Sequence, residues 1–279
     1  LAPYRADPDC GHLSGPRHRL CSRAGNVRPS DHTFFNLELA HRPCLRDLLR
    51  AWHLDAMARP CARNGSESHL THIGLLGGSF NPAHGGHRGI SRFALKALDL
   101  DEVWWLVSPG NPLKEGAKDM APLQARLASA RKMARGARIR PTAIEGELGT
   151  RYTVNTIKKL IRRYPKHRFV WIMGSDNLAQ FHRWKDWRQI ARHIVIAVVA
   201  RPGYEDEALT APAMAWLRRF VRPASQSREW TDWRPPALVY LRFRPDPRSA
   251  TRLRRDNPQW HLAFPPTASR DPVTRRRIP

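Results

Sequence analysis

The sequence predicts an α/β fold, a doubly wound parallel sheet with helices on both faces, and three observations carry that prediction. From Thr71 onward, short apolar runs of strand length alternate with segments of helical periodicity. Three of those runs, Val103–Val107, Phe169–Met173 and Ile194–Val199, are apolar throughout, as buried strands are. Each closes on a turn cluster, at Ser108-Pro109-Gly110-Asn111-Pro112, Gly174-Ser175-Asp176 and Arg201-Pro202-Gly203. Strands alternating with helices make parallel βαβ units, which collect ligands at the carboxyl ends of their strands.

The elements follow in order. Residues 1–70 are rich in Arg, His, Pro and Cys, with helical character only around Leu45 to Met57; a poorly ordered N-terminal extension is expected, and Met57 is a candidate initiator. Its acidic residues, among them Asp7, Asp31, Glu38 and Asp55, argue against an organelle transit peptide. The core domain spans 71–264. It opens with a strand at Ile73–Leu76 and a helix from about His84 to Ala97, where Ile90, Phe93, Ala94 and Ala97 recur at helical spacing. Strand Val103–Val107, a helix over Leu123–Met133 and a short strand near Arg138–Pro141 come next. A helix over Thr153–Tyr164, strand Phe169–Met173, a short helical segment from Trp184 to Ile190 and strand Ile194–Val199 then follow. A helix near Ala211–Phe220, a loop over Arg222–Pro236, strand Leu238–Leu241 and the first turns of a helix at Ser249–Arg255 complete the domain. Residues 265–279 return to Pro, Ser and Arg without periodicity, and a disordered basic tail is expected.

The chain has 279 residues, 41% of them hydrophobic, enough for a sizeable core, and a formal net charge of +24. So positive a field favours anionic partners: nucleotides, nucleic acid or an anionic membrane surface. The arginines are dispersed, with small clusters such as Arg162-Arg163, Arg218-Arg219 and Arg275-Arg276-Arg277. The longest apolar run, Ile194 to Ala200, is far short of the ~20 residues that span a bilayer. The four cysteines, Cys10, Cys21, Cys44 and Cys61, follow neither a zinc pattern nor a disulfide framework. A cytoplasmic protein is the expectation.

Chemistry concentrates in Gly77-Gly78-Ser79-Phe80-Asn81-Pro82-Ala83-His84-Gly85-Gly86-His87. A strand breaks at a glycine pair, turns through Asn-Pro and enters a helix with two histidines three residues apart, on one face. Helix N-termini present backbone N–H groups and the positive end of the dipole, so the stretch reads as an anion site; the plainer reading is a glycine-rich turn with two solvated histidines. The string resembles the signature of the adenylyltransferases with an H-x-G-H motif. The resemblance implies a Rossmann-like sheet, histidines His84 and His87 on the phosphates of ATP, and phosphate contacts from Gly77, Gly78, Ser79, Phe80 and Gly86. Ser79 and Asn81 stand where that family commonly has Thr and Asp; Asn81 carries no charge, and no base or metal role falls to it.

Ser249-Ala250-Thr251-Arg252-Leu253-Arg254 is similar to the C-terminal Ser-x-Thr-x-Ile/Leu-Arg motif of the same family. It implies that Ser249 and Thr251 hold the triphosphate and that Arg254, with His84 and His87, is catalytic; alone, the hexapeptide would be an ordinary helix cap. Lys114, in the loop after the second strand, is either a further phosphate partner or a solvated lysine. The segments Gly149–Thr156, Gly174–Leu178, Phe181–Trp184 and Ala200–Tyr204 resemble those of the bacterial nicotinate-nucleotide adenylyltransferases. By that resemblance Tyr152 and Thr153 receive the nicotinate carboxylate, Asp176 lies near a ribose, Trp184 packs on the pyridine ring, and Arg201 belongs to the same nucleotide site. Each has a plainer alternative: Thr153 a helix start, Asp176 a cap, Trp184 a core aromatic.

The implied reaction joins ATP and nicotinate mononucleotide, with Mg²⁺ carried by ATP, no protein metal site, no membrane and no specific nucleic acid; oligomeric state is open. The alternatives are a related transferase acting on nicotinamide mononucleotide or phosphopantetheine, and a basic nucleic-acid-binding protein.

Overall fold

The strands form where the sequence is apolar and β-branched or aromatic, and all of them run the same way. In the computed structural model the described residues are 70–279, other than 111–118, 202, 244–249, 266–268 and 279. The chain divides into two units, Leu1–Asn64 and Gly65–Pro279. The expected N-terminal extension, with its helical stretch and Met57, lies outside the described residues.

Strands β1 (Thr71–Gly78), β2 (Glu102–Val107), β3 (Ile139–Thr142), β4 (His167–Gly174), β5 (Val195–Val199), β6 (Val221–Arg222) and β7 (Leu238–Leu241) make one seven-stranded sheet in the order β3-β2-β1-β4-β5-β7-β6. Every pairing is parallel, and Leu75 at its centre lies opposite Trp104 on one side and Trp171 on the other. β1 runs on to Gly78, beyond the predicted Leu76, because Gly77 and Gly78 still pair with Leu106 and Val107.

Successive side chains leave a strand on opposite faces, so each buried strand feeds two cores. Ile73, Leu75, Trp104, Leu106, Phe169, Trp171, Ile196 and Val198 join one. Leu76, Val103, Trp105, Val170, Ile172, Ala197 and Val199 join the other. Helices α1 (Gly85–Ala97) and α2 (Leu123–Ala134) contribute to the second core, while α3 (Ile144–Glu147), α4 (Thr153–Arg163), α5 (Ser175–Ala179), α6 (Trp187–His193), α7 (Glu205–Thr210) and α8 (Pro212–Leu217) contribute to the first. The predicted doubly wound architecture is the observed one. A last helix, α9 (Ala250–Asp256), follows β7.

Two segments differ from the reading of their composition. Arg222–Pro236, expected as loop, contains a 3-10 helix over Ala224–Asp232. Ser227 Oγ and Trp230 Nε1 donate to the carbonyls of Ala97 and Leu98, both at 2.8 Å, and so satisfy carbonyls left unpaired where α1 ends. The second correction concerns the tail. Residues expected to be disordered dock on the sheet end: Asp271, only 4% exposed, accepts from Thr142 Oγ1, the Ala143 N–H and the N–H groups of Val273 and Thr274. A carboxylate with four donors is ordered by hydrogen bonds, which apolar periodicity does not register.

Candidate active site

The strand order reverses at β1, whose following helix packs on one face while the helices after β4 pack on the other. A crevice therefore opens outside the carboxyl ends of β1 and β4, where doubly wound sheets bind ligands. Gly77 and Gly78 line it for a steric reason. A Cβ on Gly77 would lie 2.7 Å from the Trp171 ring, and one on Gly78 3.3 Å from the Phe80 ring. Phe80 takes a left-handed backbone (φ 47°), which costs a non-glycine residue about 1 kcal/mol. Burial of its ring, stacked on Trp105 at 5.0 Å between centroids, offsets that. The Phe80 side chain thus serves the core, and only its backbone faces the turn.

The two histidines head α1 as a reciprocal cap. His84 is the N-cap; its Nδ1 accepts the Gly86 N–H at 3.1 Å, and the His84 N–H donates to His87 Nδ1 at 3.2 Å. A ring nitrogen that accepts carries no proton, so in this arrangement each imidazole bears its proton on Nε2 and is a neutral donor. The rings lie 4.0 Å apart, with Phe80 4.7 Å from His87. Burial first, then electrostatic interaction with the adjoining His84 ring and with Arg201, holds the His87 pKa well below 6.5. The Gly86 N–H is spent on His84, so the cap takes up an amide that the sequence reading assigned to phosphate.

Arg126 binds the loops around this turn together. It is 1% exposed and donates to the carbonyls of Ala121 (2.8 Å), Ser79 (2.8 Å), Ser108 (2.7 Å) and Pro109 (3.3 Å), tying the ends of β1 and β2 to the start of α2. Desolvation lowers its pKa to about 10, so it stays charged. Asn81, 3% exposed, clamps the same loop: its Nδ2 donates to the Asp119 carbonyl and its Oδ1 accepts the Ala121 N–H. Arg254, on α9, reaches the turn and donates to the Asn81 carbonyl and to Asp119 Oδ2, both at 2.7 Å. His84, His87, the glycine turn and Arg254 thus converge. Thr251 is exposed on α9, and Ser249 and Lys114 lie outside the described residues.

A family model described as cytidylyltransferase-like matches residues 75–256. A protein of Erythrobacter litoralis (strain HTCC2594) named "Probable nicotinate-nucleotide adenylyltransferase" is 61% identical over 74% of this chain and 93% of its own length. The chain belongs to the nicotinate-nucleotide adenylyltransferases of the cytidylyltransferase-like family. A second relative of the same name, from Bradyrhizobium sp. (strain BTAi1 / ATCC BAA-1182), is 51% identical over 67% of this chain and 97% of its own. Among solved structures, Plasmodium falciparum nicotinic acid mononucleotide adenylyltransferase complexed with NaAD is 14% identical over 66% of this chain and 83% of that one, with a TM-score of 0.49.

The adenylyltransferase segments in the middle of the chain fall into two groups. Asp176, in the first turn of α5, accepts from Arg201 Nη1 at 2.8 Å, while Ser175 Oγ accepts the Arg201 N–H. A Cβ on Gly174 would strike Asp176 Oδ1 at 2.3 Å, so glycine is what lets the Asp176 carboxylate fold back against the strand end. The Arg201 charge reaches His87, which joins this pair to the histidines. The other group is aromatic. Trp184 meets Trp171 edge-on at 6.1 Å and Phe181 at 5.4 Å, and Lys185 sits 4.7 Å over the Tyr152 ring. Tyr152 is the N-cap residue of α4 and Thr153 its first residue. Arg126, Asn81 as a clamp, and Lys185 went unread in the sequence. The alternation of α2 gives no sign that Arg126 points inward, since an arginine among Ala125, Leu127 and Ala130 reads as surface.

Proposed function

We propose that the chain transfers the adenylyl group of ATP to the 5′-phosphate of nicotinate mononucleotide, giving nicotinate adenine dinucleotide and pyrophosphate. The observation that carries the chemistry is the pair of neutral imidazoles at the head of α1, in the crevice where the strand order reverses. The acceptor's phosphate oxygen attacks the α-phosphorus of ATP, and the bond from that phosphorus to the α,β-bridging oxygen breaks as pyrophosphate leaves with that oxygen. That oxygen is anionic at neutral pH, so no general base is required. Catalysis consists of positioning it in line and stabilising charge on the transferring and leaving phosphates.

His84 and His87 suit that task as Nε2–H donors, and Arg254 as a fork for phosphate oxygens. Arg254 now holds Asp119, so the triphosphate takes the place of a carboxylate already there. Among the described residues, Asp119 and Asp176 are each paired with an arginine, and no group of three metal-ligating side chains is found. Mg²⁺ would be carried with ATP and would shield the triphosphate charge. Tyr152 and Thr153 receive the nicotinate carboxylate at the N-terminus of α4, Trp184 offers its face to the pyridine ring, and Asp176 lies toward a ribose. The identities to relatives of that name support the acceptor.

The test is pyrophosphate release with MgATP and, in parallel, nicotinate mononucleotide, nicotinamide mononucleotide and phosphopantetheine. Release at least ~10-fold faster with the nicotinate form is expected of a site built for a carboxylate. Preference for another acceptor would discard the roles of Tyr152, Thr153 and Trp184 while keeping the histidine chemistry.

A further inference from the structure

Glu145 is a buried carboxyl that the reaction described above does not use. It lies in α3, just past the carboxyl end of β3, and is 8% exposed. Its Oε1 accepts from Thr156 Oγ1 at 3.2 Å, and Thr156 Oγ1 is 2.8 Å from Thr150 Oγ1. Thr150 and Thr156 bracket Tyr152 and Thr153, and the Thr156 hydroxyl also lies 3.4 Å from the Tyr152 carbonyl. Just past β2 the Ser108 hydroxyl meets Glu145, and the Ser108 carbonyl is one of the four held by Arg126. Among the described residues no cation is paired with the carboxyl. Arg163 of α4 and Arg276 of the tail pair with Glu147 instead, and Asp271 spends itself on the backbone that leads into α3.

We propose that Glu145 is a positioning residue for the acceptor nucleotide, fixing the head of α4, and with it Tyr152 and Thr153, against the end of β2 through the hydroxyls of Thr156, Thr150 and Ser108. The proposal rests on the acceptor site described above. Each protonation state has hydrogen-bond partners at hand. Ionised, the carboxylate accepts from Thr156, which in turn accepts from Thr150. Protonated, it donates to Ser108 Oγ, whose own proton goes to the Gly110 carbonyl 2.6 Å away, and Thr156 turns to the Tyr152 carbonyl. Proton uptake thus moves the Thr156 hydroxyl from the Glu145 carboxylate to the Tyr152 carbonyl at the mouth of α4. Burial raises the Glu145 pKa to about 7, so this exchange falls in the working range.

The experiment measures kcat and both KM values from about pH 5.5 to 8.5 for the wild-type chain, Glu145→Ala, Glu145→Gln and Thr153→Ala. Glu145→Ala raises the acceptor KM roughly tenfold, as losing one or two buried hydrogen bonds implies, and leaves kcat and the ATP KM within about twofold. Glu145→Gln, close to the neutral form in shape, carries the test should the alanine variant not fold. The acceptor phosphate titrates in both enzymes, so the ratio of wild-type to Glu145→Gln acceptor KM isolates Glu145. That ratio bends near pH 7. A flat ratio, or a parallel loss in kcat and both KM values, overturns the proposal. Thr153→Ala separates the causes: if it raises the acceptor KM and the Glu145 variants do not, Glu145 has no such role; if it leaves that KM unchanged, the acceptor site is elsewhere and the proposal falls with it.

Discussion

His87 works uncharged. A protonated ring would lose the cap it makes with the His84 N–H and bring a second positive charge close to that of Arg201. In the proposed reaction, the neutral ring keeps a directed Nε2–H for the charge that develops on the phosphates. His87→Ala therefore lowers kcat by at least ~10²-fold in steady-state turnover, the scale of one preorganised donor. It also removes a cap contact, and an unfolding titration should show a loss of about 1 kcal/mol. The pH dependence has a definite sign. The unfolded chain takes up a proton at His87 near 6.5, whereas the folded chain does not until well below that value. The unfolded state then binds more protons, so this residue contributes stability above pH 6.5 and withdraws it as the pH falls below 6.5. Chemical denaturation midpoints in wild-type and His87→Ala chains should differ in their acid-side slope, the variant losing stability less steeply.

At the scale of elements, the polar staples matter as much as the apolar layers. Asp271 receives four donors and holds the terminal segment over β3 and the start of α3. Asp271→Ala strands the Thr142 and Ala143 donors under the tail, and should destabilise the fold by about 2 kcal/mol with a matching drop in thermal midpoint. The same contrast explains what was legible beforehand. The central strands and the flanking helices announce themselves by apolar runs and by period, and the histidine turn by its glycines. Other features did not. Trp230 is a single anchor in a run of Arg, Ser and Pro. Asp271 sits in a polar tail. Arg126 and Glu145 are charged side chains in helices, where sequence favours solvent, and only the meeting of β1, β2, α2 and α3 in space gives them buried partners. The ion pair of Arg254 with Asp119 joins segments far apart in sequence and leaves no local trace.

For the molecule as a whole, a net charge of +24 places every substrate in a positive field, since ATP, the acceptor nucleotide and pyrophosphate are all anions. Such a field speeds encounter and is weakened by salt, with a Debye length of about 10 Å at 0.1 M. kcat/KM should fall by roughly threefold or more as salt rises from about 50 to 300 mM, while kcat, set by contacts inside the crevice, changes little. Stopped-flow or initial-rate measurements at low substrate would read it directly.

The strand order has a further consequence, in the time the molecule takes to assemble. β1 lies at the heart of the sheet, yet one of its two neighbours, β4, arrives only after two intervening strands and four helices have been made. Gly77 packs against Trp171, so the glycine turn has no wall to rest on until that late strand docks. Contacts of such long sequence separation are slow to form, because the loop must close before pairing rewards it. The oldest part of the nascent domain is thus the last to become an active site, and catalytic competence during refolding should appear with the slowest phase rather than with the early gain of helix.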